Sequence, residues 1–124
     1  MWCGTLLNLD THILIHALAG SLRPRERKLL TSRKWSISAI VLWELEKLVH
    51  LGRLGLDLED REVVRTLNRI HLWPIDLEVA RASTGLDFRG DPADGLIAAT
   101  SLVHDVPLLT RDRSIRKSRM VPLA

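Results

Sequence analysis

Four short apolar stretches, Leu6 to Leu9, Trp35 to Ser38, His71 to Ile75 and Val106 to Thr110, are separated along the chain by segments long enough to be helices. This alternation is the strongest constraint on the fold. Strands that each wait for a helix before the next strand begins pair as a parallel, crossover-connected sheet. Such a sheet carries helices on both faces and buries its strands, so an α/β architecture with a mostly parallel central sheet is expected.

The intervening segments support that reading. His12 to Ala19 has helical spacing until Gly20, and Pro24 suits the first turn of a helix running through Arg27 to Leu30. A long helix is expected from Ala39 to Leu51, ended by Gly52 and Gly55. From Leu58 to Ile70, apolar Leu58, Val63, Val64, Leu67 and Ile70 oppose Glu59, Glu62, Arg65 and Arg69. A short helix from Leu77 to Ser83 precedes a Gly-bounded loop and a helix from Pro92 to His104, whose small residues permit close approach to a sheet. Pro74 cannot donate to a ladder, which places its strand at an edge or its own end. A basic helical turn and the apolar Met120 to Leu123 complete the chain.

With 124 residues, no internal repeat and no long linker, residues 1–124 read as one domain. The 46% hydrophobic and 27% charged composition excludes a disordered chain. The longest apolar run, Ala39 to Trp43, is far short of the roughly 20 residues of a membrane helix. Met1-Trp2-Cys3-Gly4-Thr5 has no basic region leading into an apolar stretch, so the reducing cytoplasm is the expected compartment. Cys3, the one cysteine, can build neither a disulfide nor a sulfur-rich zinc site. The net charge of +3 is a property of the C-terminal segment: without residues 111–119 the balance is 13 cations against 14 anions, or −1. Arg111, Arg113, Arg116 and Lys117 are therefore the candidate contacts to a phosphate-bearing polymer.

In open parallel sheets, ligands bind beyond the carboxyl ends of the strands. That rule selects Asp10 after the first strand, Asp112 after the last, and Asp91 and Asp94 at the start of the small-residue helix. Glu44 joins them, because it lies among Ile40, Val41, Leu45 and Leu48 on its helix, where a carboxylate is costly without a partner; a cation is expected beside it. Taken singly, each acid has an ordinary structural role as a cap, a dipole partner or half of an ion pair. Taken together they repel, each pair at 5 Å costing on the order of 3 kcal/mol at an effective dielectric of 20. A divalent cation relieves that repulsion, and oxygen-only ligands select Mg²⁺ or Mn²⁺. The chemistry implied is hydrolysis of a phosphodiester by metal-assisted attack of water.

Other chemistries fit less well. His12 and His16 stand at i, i+4, but Ile13 occupies the place of the Glu that a zinc protease helix requires. There is no Gly-x-Ser-x-Gly elbow and no Gly-rich dinucleotide or NTP loop. An Asp-nucleophile phosphatase of the haloacid-dehalogenase type wants a second Asp where His12 stands. Trp35, Trp43 and Trp73 are expected in packing or a dimer interface rather than stacked on bases.

Leu9-Asp10-Thr11-His12, Ser38-Ala39-Ile40 leading to Trp43-Glu44-Leu45, Asp91-Pro92-Ala93-Asp94-Gly95-Leu96-Ile97-Ala98-Ala99, and Leu109-Thr110-Arg111-Asp112 together resemble a PIN-domain ribonuclease of the VapC toxin type. The resemblance runs over essentially the whole chain, with Asp10, Glu44, Asp94 and Asp112 separated by 34, 50 and 18 residues. It implies a three-layer α/β/α PIN fold, Mg²⁺- or Mn²⁺-dependent cleavage of RNA, a homodimer, and inhibition by a VapB-like antitoxin inserted into the active-site groove. It also implies that Asp10, Glu44, Asp94 and Asp112 form the catalytic and metal-binding quartet. Thr11 and Thr110 would be nearby hydroxyls that position carboxylate or water, and Asp91 a supporting acid or helix cap. Toxins of this type often have Arg after the third acid, where this chain has Gly95. A PIN-like module that binds RNA or protein without cutting it is the alternative, which the intact set of acids disfavours.

Overall fold

A computed structural model describes residues 5–124; Trp2 and Cys3, named above, lie outside the described residues. In chain order the elements are β1 (Leu6–Leu9), α1 (Thr11–Ala19), α2 (Pro24–Ser32), β2 (Lys34–Ser38), α3 (Ala39–His50), α4 (Arg61–Arg69), β3 (His71–Trp73), α5 (Leu77–Ser83), α6 (Pro92–His104), β4 (Leu108–Leu109) and α7 (Arg113–Arg116). The four strands form one sheet in the order β3-β2-β1-β4, and every pairing is parallel. The α/β fold with a parallel central sheet is thus the one expected.

All of β1 is buried, as a central strand covered on both faces must be. Leu7 and Leu9 join Ile13, Leu14, Ile37, Val41, Leu45, Ile97 and Leu109 in the main core. Asn8 is the polar exception: its side-chain amide donates to the Ile97 carbonyl at 3.2 Å and to Ser101 Oγ at 2.9 Å, tying β1 to α6. Where the chain leaves α1, Gly20 adopts φ +72°, a conformation that glycine takes without strain, and its N–H closes the helix end.

Several boundaries differ from the sequence reading, and three of the differences coincide with a backbone hydrogen-bonding constraint. The helix expected from Leu58 begins at Arg61, because the Asp60 carboxylate accepts from the N–H groups of Glu62 and Val63 and caps it there. β3 stops at Trp73, before Pro74, and occupies the sheet edge. β4 contains only Leu108 and Leu109 of the stretch expected from Val106 to Thr110. Pro107 has no N–H to give, although its carbonyl accepts from Asn8 N at 2.8 Å. The outer side of β4 is completed by the C-terminus: Leu108 N donates to the Pro122 carbonyl, Ala124 N to the Leu108 carbonyl, and Leu123 bridges Leu108 in parallel. The terminal apolar run is therefore a sheet-edge cover.

Of the tryptophans expected to pack, Trp73 is buried between the His71 and His104 rings, and half-buried Trp35 donates to the Leu30 carbonyl at 2.8 Å. Trp43 is 55% exposed, with Lys47 Nζ 4.6 Å above its ring. No helix among the described residues is long and apolar enough to cross a membrane.

A long-range ion pair fixes α2 against the segment after β4. Arg111 Nε donates to Glu26 Oε2 at 2.8 Å and Nη2 to Glu26 Oε1 at 2.6 Å, while Glu26 Oε1 also accepts from Arg23 N and closes the first turn of α2. The Glu26 side chain is 6% exposed and that of Arg111 24%. Arg111's hydrogen bonds hold the Glu26 carboxyl down at about 2, against burial, which acts the other way. A carboxyl depressed in the folded state stabilises it fully above the unfolded value near 4.5, and that stability is lost as pH falls toward 2. Glu26→Gln should lower the unfolding free energy by about 2 kcal/mol at neutral pH, with the difference shrinking as the pH is lowered through this range. Urea unfolding at a series of pH values measures it; a difference that does not change with pH would show that the ion pair is not its source.

Candidate active site

β1 and β4 are neighbours in the sheet, yet β1 leads toward β2 on its other side, so the strand order reverses between them. A crevice opens at such a switch point beyond the strand ends. Here a cavity of about 470 Å³ is lined by Asp10, Thr11, His12, His16, Glu44, Asp91, Asp94, Arg111 and Asp112. Asp10, Glu44, Asp91, Asp94 and Asp112, the five acids picked out by sequence, all border it.

Each acid is positioned by a different local device. Asp10 follows β1 directly and stands at the start of α1, yet its side chain makes no capping bond there. Instead it is buried at 5% exposure, and Oδ2 accepts from Thr110 Oγ1 at 2.6 Å. The Thr110 hydroxyl in turn accepts from Asp112 N at 3.0 Å, so one threonine links the two strand-end acids. Asp112 Oδ1 accepts from Ser114 N and Ile115 N, capping α7. Asp91 caps α6 by accepting from Asp94 N at 3.0 Å, which leaves Asp94 in the first turn with its carboxylate beside the cavity. Gly90 lies against Asp94: a Cβ added at Gly90 would come within 3.2 Å of Asp94 Oδ2.

Glu44 reaches the cavity from the middle of α3. The cation expected beside it is replaced by a hydroxyl, since Thr11 Oγ1 donates to Glu44 Oε1. Thr11 is itself 2% exposed, so the donor is held in place by packing. Burial raises the Glu44 pKa, the Thr11 bond opposes the rise, and the charges of Asp91 and Asp10 add to it. Asp94 is affected more strongly: burial first, then Asp91, Asp10, Asp112 and Glu44 in that order, push it up to about 7. Among the described residues, no Lys, Arg or His forms an ion pair with any of the five acids.

The donor set is therefore rich in carboxylate oxygen, free of sulfur and uncompensated in charge, which suits a hard divalent cation. Among the described residues, no three Asp, Glu, His or Cys side chains stand close enough together to hold a metal ion as they are placed. The acids ring an open groove. Asp10 Oδ1, Glu44 Oε2 and Asp112 Oδ2 have no hydrogen bond within the described protein, because the partner oxygen of each carboxylate takes the tether.

The basic residues divide. Arg113 and Lys117 are exposed on and after α7, and exposed Arg116 donates to the Thr110 carbonyl at 3.3 Å. Arg111 is not a free cation: besides the Glu26 fork, its Nη1 lies 2.9 Å from His16 Nε2. His16 Nδ1 lies 2.7 Å from Ser21 Oγ, so both ring nitrogens are engaged and the zinc reading of His12 and His16 loses a ligand. Burial and then Arg111 lower the His16 pKa, keeping the ring neutral as an acceptor for the guanidinium. Glu26, Ser21 and the role of His16 were missed in the sequence. The Arg23-Pro24-Arg25-Glu26 capping spacing was visible, but nothing local marks a partner 85 residues away. Gly95 faces α5: an added Cβ would touch the Ser83 carbonyl at 3.5 Å.

Comparison with known proteins agrees with this fold. The family model described as PIN domain matches residues 8–119, a span that contains Asp10, Glu44, Asp94 and Asp112. Ribonuclease VapC22 of Mycobacterium tuberculosis (strain ATCC 25618 / H37Rv) is 29% identical over 125 aligned positions, covering 93% of each chain. Among solved structures, VapBC2 from Rickettsia felis bound to a DNA fragment from their promoter shares the fold with a TM-score of 0.73 at 17% identity, over 97% of this chain and 98% of that one. A toxin-antitoxin complex from Klebsiella pneumoniae does so with a TM-score of 0.70 at 20% identity, over 90% and 91%. With its all-parallel sheet, its strand-end acids and a family match across nearly its whole length, the chain belongs to the PIN domain family.

Proposed function

We propose that this protein is a divalent-metal-dependent endoribonuclease, the toxin of a VapBC-like toxin–antitoxin pair. The observation that carries the proposal is the ring of five carboxylates around one cavity with no ion-paired cation among the described residues. Full-length similarity to a protein named as a ribonuclease supports RNA as the substrate. Structural likeness to toxin–antitoxin complexes supports a VapB-like antitoxin as the partner. A homodimer and a cytoplasmic setting belong to the same reading.

Asp10, Glu44, Asp94 and Asp112 would hold Mg²⁺ or Mn²⁺. When bound, such an ion neutralises charge building on the phosphodiester and makes water a competent nucleophile near neutral pH. The protein's own groups do the rest. Thr110 holds Asp10 and Asp112 in a fixed relation, and Thr11 orients Glu44, so the free oxygens need no reorganisation when charge arrives. Asp91 holds the first turn of α6 and thereby the height of Asp94 in the groove. Exposed Arg113, Arg116 and Lys117 would meet the flanking RNA backbone, whereas Arg111, committed to Glu26, would act as a fixed wall.

Asp10→Asn and Asp94→Asn should each abolish Mg²⁺- or Mn²⁺-dependent cleavage of RNA and growth inhibition, with far-ultraviolet circular dichroism unchanged. Wild-type cleavage that continues undiminished in EDTA would refute the metal mechanism.

The same repulsion makes a prediction about stability. In metal-free protein above pH 8, Asp94→Asn removes a charge that its neighbours oppose, so it should raise the unfolding free energy by about 1–2 kcal/mol. It should also remove most of the increase in Tm that Mn²⁺ confers on the wild type. Calorimetry with and without Mn²⁺ measures both, and an Asp94→Asn protein that is less stable without metal would contradict the electrostatic account.

A further inference from the structure

Behind the acidic groove lies a second, smaller cavity of about 140 Å³, lined by Arg23, Arg25, Glu26, Leu109, Thr110, Arg111 and Arg116. The two cavities share Arg111 as a common wall. Four arginines thus surround one space, two from the start of α2 and two from the segment after β4. The single anion among them, Glu26, is taken up by the two-point pair with Arg111 and by Arg23 N. Arg23, Arg25 and Arg116 are exposed, and among the described residues none of the three makes an ion pair. Arg116 is aimed by the Thr110 carbonyl, the residue whose hydroxyl holds Asp10. Uncompensated guanidinium groups converging on a pocket beside a carboxylate groove are the reverse of the charge pattern next door, and they suit a phosphate, which accepts forked hydrogen bonds from arginine.

We propose that Arg23, Arg25 and Arg116, against the fixed wall of Arg111, form a subsite for an RNA phosphate next to the one placed among the carboxylates. The subsite deepens the ribonuclease reading and rests on it. Its position gives the groove a direction: one phosphate faces Asp10 and Asp94 and the neighbouring one faces the arginines, so the strand is held across the Thr110–Arg111 wall. None of the acids is required for this second contact, so it persists when the carboxylate groove is disabled.

The test is binding of a fluorescently labelled single-stranded oligouridylate to the Asp94→Asn protein, read by anisotropy between roughly 50 and 200 mM KCl. Adding Arg23→Gln and Arg25→Gln should weaken binding several-fold at the lowest salt. It should also reduce the slope of log K against log salt by about 0.7, the signature of one lost phosphate on a single strand. Arg61→Gln with Arg65→Gln on α4 removes the same charge from residues that line neither cavity and should leave the slope unchanged. A slope that survives loss of Arg23 and Arg25, or that falls equally in the α4 variant, overturns the subsite, whatever those changes do to binding of an acidic segment of an antitoxin. A wild type that binds RNA through these arginines and never cuts it would instead sink the ribonuclease reading and leave the phosphate subsite standing.

Discussion

Mutual repulsion among carboxylates is the constraint around which this molecule is organised. Asp10, Glu44, Asp91, Asp94 and Asp112 come from two strand-to-helix junctions, the start of α6 and the middle of α3, and they line a single cavity. Left to relax, such groups would turn away or recruit cations. Here four of the five are restrained by a neutral donor: a threonine hydroxyl for Asp10 and Glu44, backbone N–H groups for Asp91 and Asp112. Neutral tethers hold direction without cancelling charge. Burial, and after it the charge of these neighbours, raises the Asp94 carboxyl, a cost that a bound dication would turn into affinity.

The core serves the same end. β1 is buried along its whole length, and Asn8 binds it to α6 through Ile97 and Ser101. Those two contacts fix the strand that leads into Asp10 relative to the helix whose first turn holds Asp94. Parallel pairing of β1 with β4 then sets Asp10 against Thr110 and Asp112, and the C-terminal residues cover the outer side of β4. Asp10, Asp94 and Asp112 are therefore placed by the buried central strand and the elements tied to it.

What could be read from sequence follows from how local each cause is. Asp10, Asp91, Asp94 and Asp112 were legible because strand ends and helix starts are marked by apolar runs, Pro92 and capping acids within a few residues. Glu44 was legible as an anomaly on an apolar helix surface, but its partner was not: choosing Thr11 over a cation depends on how α1 and α3 meet. β4 proved shorter than its apolar run, where Pro107 lacks an N–H, and its pairing with the C-terminus is a tertiary effect that no local pattern marks. The Glu26–Arg111 pair was invisible, since neither residue is unusual where it stands. Charge counting alone assigned Arg111 to RNA, whereas its guanidinium is spent within the protein.

That last assignment bears on why the acids stay unpaired. Among the described residues, Arg111 is the one Arg or Lys lining the acidic cavity, and it stands next in sequence to Asp112. A free guanidinium there would find Asp112 or Asp10 and satisfy them, because an arginine fork matches a carboxylate in a way that water cannot. Glu26, nearly inaccessible to solvent and fixed to the first turn of α2, takes both donors of that fork, and neutral His16 takes a third contact. The ion pair thus does more than join α2 to the end of β4. It removes the cation that would otherwise quench the groove, and it fixes that side chain as the partition between a space walled by carboxylates and a space walled by arginines. Positive and negative surfaces lie back to back without collapsing into salt bridges because one glutamate, far away in the chain, has already taken the group that would connect them.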